Sequence, residues 1–151
     1  VNILTASRPH AVHPAITPAA PPAQTSSVFQ DAWLPRPAPR AVPAGDTFDA
    51  VRVTQQHGEL VLQHLQRFPA LPIGAVLADQ DQWWFFVPAH FDNTPWPRPV
   101  RYLTTGSFIT VPPPEHTRAI GCSLGWIQHG APGREFTSPL FLRPVLDHMT
   151  F

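Results

Sequence analysis

Lysine is missing from all 151 residues, so the ten basic side chains are all arginine, and ten acidic residues balance them. A neutral chain is excluded from holding nucleic acid by bulk charge alone, because that mode needs a basic stripe whose many phosphate contacts release counterions. A local cationic patch stays open. The lack of lysine beside 21 prolines and abundant Ala and Arg fits a GC-rich genome rather than a device of the fold. With a single cysteine, Cys122, the chain can form neither an intramolecular disulfide nor a multi-cysteine metal site. Cys122 is therefore expected as a small buried apolar residue in a reducing, cytoplasmic interior. Apolar runs stay well short of the ~20 residues that span a bilayer, so no membrane contact is expected. The opening Val1-Asn2-Ile3-Leu4 lacks both the length and the positive lead-in of a signal peptide.

The familiar nucleotide and hydrolase signatures are missing too. The chain contains no Walker-type loop, no Gly-x-Gly-x-x-Gly, no Gly-x-Ser-x-Gly and no His-Glu-x-x-His. Eight histidines are scattered along it. His57 and His64 fall two turns apart on one predicted helix face, yet no third ligand accompanies them at metal-binding spacing, so they are read as solvated.

Proline divides the chain. Residues 1–44 carry Pro9, Pro14, Pro18, Pro21, Pro22, Pro35, Pro37, Pro39 and Pro43 among Ala, Ser and Thr, which stops helix and sheet alike. This segment is expected to be a disordered tail with one apolar patch, Val28 to Leu34, able to dock Phe29 and Trp33 or to meet a protein partner. Residues 45–151 are left for one small domain. Phe48 to Val53 alternates like a strand, Thr54 caps a helix from about 55 to 68, and Gly74 to Pro88 reads as a hairpin with Asp79-Gln80-Asp81-Gln82 at its tip. Val100–Leu103 and Ser107–Val111 around Gly106 read as a second hairpin, and Gly121–Ile127 as a further strand. Ser138 and Pro139 open a closing helix that runs to His148. The predicted class is α+β, a small and largely antiparallel sheet of hairpins with two packed helices.

Two features of the hairpin bear on chemistry. Asp79 and Asp81, one residue apart, form the best acidic pair for a divalent cation, but at a turn tip aspartate ordinarily serves the turn. Trp83, Trp84, Phe85 and Phe86 must alternate between the two sheet faces, so one pair is either a base-stacking platform or, with both faces covered, core.

The order and spacing of Phe48-Asp-Ala-Val-Arg-Val-Thr54 with Gly58, Trp84-Phe-Phe-Val-Pro88, and Thr105-Gly-Ser-Phe-Ile-Thr-Val-Pro-Pro113 with Gly121 and Trp126 resembles the N-terminal domain of bifunctional DNA primase/polymerases. These are of the archaeo-eukaryotic primase type, and short actinobacterial proteins carry related domains. The resemblance covers roughly residues 45–130 and implies a primase/polymerase-like α+β fold. Active members place an Asp-hydrophobic-Asp at the end of the first strand, where this chain has Arg52-Val53-Thr54. They open the aromatic-x-x-Pro strand with histidine, where this chain has Gln82 or Trp83, and their later acidic residue falls near Arg101. Two-metal transfer needs carboxylates on the ions, and arginines there would repel them. The resemblance thus implies a catalytically silent domain without a cofactor that binds nucleotide, single-stranded nucleic acid or protein, with Arg52 and Arg101 toward phosphate and Gln82, Trp83 or Trp84 beside a base. One alternative is an active Mg²⁺-dependent nucleotidyltransferase using Asp46, Asp49, Asp79 and Asp81 in a displaced arrangement, and another is a protein-interaction module that uses the proline-rich tail, with both arginines ordinary surface residues.

Overall fold

The computed structural model describes residues 34, 35, 37–91, 95–118, 123–130 and 133–149. Phe29, Trp33, Gly121 and Cys122 lie outside the described residues, and with them the expectations about tail docking and thiol burial. The elements are β1 (Arg40–Pro43), β2 (Phe48–Thr54), α1 (Gln55–Gln66), β3 (Val76–Asp79), β4 (Gln82–Pro88), β5 (Arg101–Leu103), β6 (Phe108–Val111), β7 (Leu124–Gln128) and α2 (Pro139–His148). Five strands form the central sheet in the order β5-β2-β4-β3-β7, and β1 and β6 form a separate two-stranded ribbon. All these strand pairings are antiparallel. The class is α+β, as the sequence predicts.

The period-2 alternation of β2 and β4 supplies two apolar faces, and each finds its own cover. Val51, Val53, Trp83, Phe85 and Val87 point to one side, where Val61, Leu62 and Leu65 of α1 and Leu142 and Leu146 of α2 close over them. Phe48, Ala50, Leu77, Phe86 and Trp126 point to the other, where Ile109 and Val111 of the ribbon meet them. The result is three layers: helices, sheet, ribbon. α1 begins where Thr54 leaves β2 with extended backbone and its side chain accepts from the His57 N–H. Glycine at position 58 carries a reason that helix propensity hides. A Cβ there would stand 2.6 Å from the Trp83 ring, so the missing side chain lets α1 lie directly on the indole.

Two expectations change. Val100–Leu103 and Ser107–Val111 do not form a hairpin: β5 pairs with β2, while β6 pairs with β1 in the ribbon. The Gly106 turn bends the chain from the sheet into the next layer, so adjacency in sequence is spent on a change of layer. The ordered part also starts before Gly45. Arg40–Pro43, assigned by composition to the tail, is β1, and Leu34 is buried in the ribbon-side core. Its prolines are compatible with this because Pro43 ends the strand and the ribbon has only one partner to satisfy.

Candidate functional site

The ribbon covers only part of its sheet face. Register places a row of directly opposed residues just beyond it: Arg101 of β5 stands opposite Arg52 of β2, which stands opposite Trp84 of β4. Directly paired residues share a face, and Arg52 alternates with Val51 and Val53, so its side chain lies on the ribbon side with Ala50 and Phe48. Arg52 and Trp84 are half-buried and Arg101 is exposed. With neighbouring strands ~4.8 Å apart, the row spans about 10 Å from Trp84 to Arg101. Neither guanidinium has a hydrogen bond or ion pair with another residue, among the described residues.

The next row toward the open end is Thr54, Gln82 and Asp79, again directly opposed and on the same face. Gln82 is half-buried and stands two residues from Trp84. Three of the residues singled out in the sequence with Arg52, namely Arg101, Gln82 and Trp84, are therefore brought together. Trp83 is not among them. It is 5% exposed on the helix side beneath Gly58, and a core residue there has no face left for a base.

Arginines that sequence reasoning did not single out extend the cationic margin. Arg98 lines one open cavity of about 410 Å³ with Pro99, Val100 and the already noted Arg101. At the open end, one terminal nitrogen of Arg118 donates to the Gln55 side chain at 3.1 Å and to the Gln80 carbonyl at 3.2 Å. The other is buried without a partner among the described residues. Arg118 is more than thirty positions from either contact, and no local pattern marks it.

The aspartates separate. Gln80, with φ 52°, and Asp81 make the turn of the β3–β4 hairpin, so Asp79 and Asp81 do not lie on one extended strand. Asp79 is half-buried, whereas Asp81 is exposed and its carbonyl accepts from the Gln55 N–H. Asp46 and Asp49 sit at the opposite end of β2, and even Asp49 is roughly 17 Å along the extended strand from the end paired with Gln82. Asp49 is on the helix side and fully buried. One of its oxygens accepts from the His90 N–H at 3.0 Å and, in a short bond, from the Tyr102 hydroxyl, while the other has no partner among the described residues. Tyr102 in turn stacks on Trp96, over which Arg143 of α2 lies at 4.9 Å. This chain ties the three-residue β5, and with it Arg101, to the sheet and to α2.

No group of three or more His, Cys, Asp or Glu side chains that could hold a metal ion occurs among the described residues. His57 is occupied locally, its Nδ1 lying 2.7 Å from the Thr54 hydroxyl, and His64 is exposed. His129, edge-on to Trp126, is held below the ordinary imidazole value of 6.5 by burial of part of its ring, with a backbone hydrogen bond to Pro114 opposing the shift. Among the described residues no helix is long and apolar enough to cross a membrane. Comparison with protein-family models, curated proteins and solved structures finds nothing that matches this chain.

Proposed function

We propose that the uncovered margin of the ribbon-side sheet face binds the phosphates of a nucleotide or of single-stranded nucleic acid. Arg52 and Arg101 take the phosphate, Trp84 lies against a base, and Gln82 supplies a hydrogen bond beside it. The observation that supports this most is the arginine pair itself. Like charges directly opposed across antiparallel strands repel by roughly 0.2–1 kcal/mol. An anion between them replaces that repulsion with two charge-assisted hydrogen bonds. Because the whole chain is neutral, the attraction is confined to this margin.

The reading extends to reaction class. In the resemblance to primase/polymerase domains, Arg52 and Arg101 stand at or near positions that carry carboxylates in active members, and cations there disfavour Mg²⁺. Asp46 and Asp49 lie at the far end of β2 from Asp79 and Asp81, which supports binding over metal-assisted transfer. We therefore read the chain as a primase/polymerase-like domain that binds without nucleotidyl transfer.

Fluorescence anisotropy with labelled short single-stranded DNA and with labelled nucleotides, each with and without Mg²⁺, tests this. The wild type is expected to bind equally well in both conditions, and Arg52→Ala/Arg101→Ala to lose at least about tenfold in affinity, as two charge-assisted contacts imply. Absence of binding by the wild type, or Mg²⁺-dependent binding that the double substitution leaves intact, overturns the proposal.

A further inference from the structure

Trp84 accounts for contact with a base but not for choice among bases, because every base has a π-face and stacking is tolerant of sequence. Choice needs hydrogen-bonding groups at the edge of the stack, and the next row of the same sheet face holds two. Asp79 of β3 stands directly opposite Gln82 of β4. Its face is fixed twice, since Leu77, two residues earlier, and Leu124, its partner in β7, both belong to the ribbon-side core. Asp79 and Gln82 therefore share the side of Trp84, Arg52 and Arg101. Two residues along one strand face, Gln82 is about 6.8 Å from Trp84. A base laid against Trp84 can turn one edge to this row while its phosphate stays at Arg52.

Both side chains are uncommitted. Asp79 and Gln82 are half-buried, and neither the carboxylate nor the amide has a hydrogen bond or ion pair with another residue, among the described residues. Thr54, the third member of the row, differs, because its hydroxyl lies 2.7 Å from the His57 Nδ1. The free hydrogen-bonding capacity of the row is thus one carboxylate and one amide, side by side at the edge of the indole. A carboxylate only accepts, whereas an amide offers both an acceptor and two donors.

That combination does not suit all bases equally. Cytosine and adenine offer an amino group to the carboxylate and, next to it, a ring nitrogen that accepts from the amide. Guanine offers its ring N–H and amino group to the carboxylate, and its carbonyl oxygen accepts from the amide. Thymine and uracil present a single N–H between two carbonyl oxygens, so an oxygen of the base meets an oxygen of Asp79 and an acceptor is left facing an acceptor. Resting on the phosphate-binding reading, we propose that Asp79, with Gln82 beside it, makes this site select amino-bearing bases and reject thymine and uracil. Arg52 and Arg101 hold the ligand, Trp84 holds the base, and Asp79 sets which base is held.

Fluorescence anisotropy with labelled oligo(dA), oligo(dC) and oligo(dT) of equal length, and competition by dCMP and dTMP, tests this. The wild type is expected to bind oligo(dA) and oligo(dC) about 5-fold or more tighter than oligo(dT), the low end of what a bidentate base contact discriminates, and to prefer dCMP to dTMP. Asp79→Asn replaces one acceptor by a donor that suits a thymine carbonyl, so it is expected to tighten oligo(dT) binding and level the preference. A gain of affinity is a result that misfolding cannot imitate. Arg52→Ala/Arg101→Ala is expected to weaken all three strands alike. Wild-type binding that is equal for all probes or favours thymine overturns this inference and leaves the phosphate-binding reading standing. An unchanged preference in Asp79→Asn overturns it as well. Absence of wild-type binding to every strand and nucleotide overturns both.

Discussion

Trp83 and Trp84 are neighbours in β4, of one residue type, and the sheet assigns them opposite work. Trp83 faces two helices, lies under a glycine that has no side chain to keep α1 away, and is enclosed. Trp84 packs against the ribbon-side core yet stays half-buried, beside an arginine pair without counter-charge among the described residues. What differs is the width of the cover. Two helices of 12 and 10 residues cover one face, whereas the other is covered by a ribbon of two four-residue strands, and Trp84, Arg52 and Gln82 on that side stay only half-buried. The uncovered remainder is where polar and cationic residues gather, and where a ligand has room.

Substitutions can break this contrast, and the largest effect belongs on the enclosed side. Trp83→Ala is expected to cost about 3–5 kcal/mol, the range for large aromatic truncations in cores, and Trp84→Ala clearly less. Urea denaturation of both variants checks the ranking, and equal losses would mean that the two faces are equally covered. Gly58→Val is expected to destabilise for the complementary reason, since its side chain would have to occupy the Trp83 ring.

Asp49 comes next. Asp49→Ala removes the buried acceptor of the His90 N–H and of the Tyr102 hydroxyl, and a loss of roughly 1–3 kcal/mol is expected from two hydrogen bonds to a carboxylate. Because Tyr102 adjoins Arg101, Tyr102→Phe should also weaken anion binding while leaving Arg52 untouched, read by anisotropy alongside denaturation.

On the open side the sign reverses. Arg52→Ala or Arg101→Ala, without ligand, is expected to be neutral or to stabilise by up to about 1 kcal/mol, because each relieves a cross-strand repulsion. A thermal melt in low salt measures this, and a clear loss of stability would show that the pair is structural.

The smallest effect is a pH dependence. Burial holds the folded His129 below its ordinary value, so between 6.5 and that lower value the unfolded chain binds more protons than the folded one. Stability should therefore fall as pH drops through this window and level off below it, and His129→Gln should flatten the slope. The side chain is substantially exposed, which keeps the effect small.

Much of the fold was legible because local signals were strong. The alternation of Phe48–Val53, the Thr54 cap, the apolar runs around residues 79–82 and the Ser138-Pro139 start each encode their element within a few residues. Layer assignment was not legible. Gly106 marks a turn in the sequence, but no local feature says that the strands on its two sides leave for different sheets, and Arg40–Pro43 reads as linker until β6 stands beside it. The candidate site divides the same way. Arg52, Gln82, Trp84 and Arg101 were reachable from sequence, and alternation fixes that Trp83 and Trp84 part company, but which of them is enclosed depends on which cover is wider. Arg118 arrives from a distant segment and could be found only in three dimensions.

The ribbon has a kinetic consequence. Its two strands, from Arg40 paired with Val111 to Pro43 paired with Phe108, come from parts of the chain on the order of 70 positions apart, with most of the central sheet between them, and such distant pairings slow folding. β1 can find β6 only after the intervening strands and α1 have brought the ends together, so the ribbon is expected to close last. A fragment begun at residue 45, the boundary that composition suggests, would lack β1 and Leu34. It would present β6 as an unpaired edge beside an aromatic face, Phe48, Phe86 and Trp126, that has lost Leu34 and β1 from its cover, and aggregation of such a fragment would be the expected outcome.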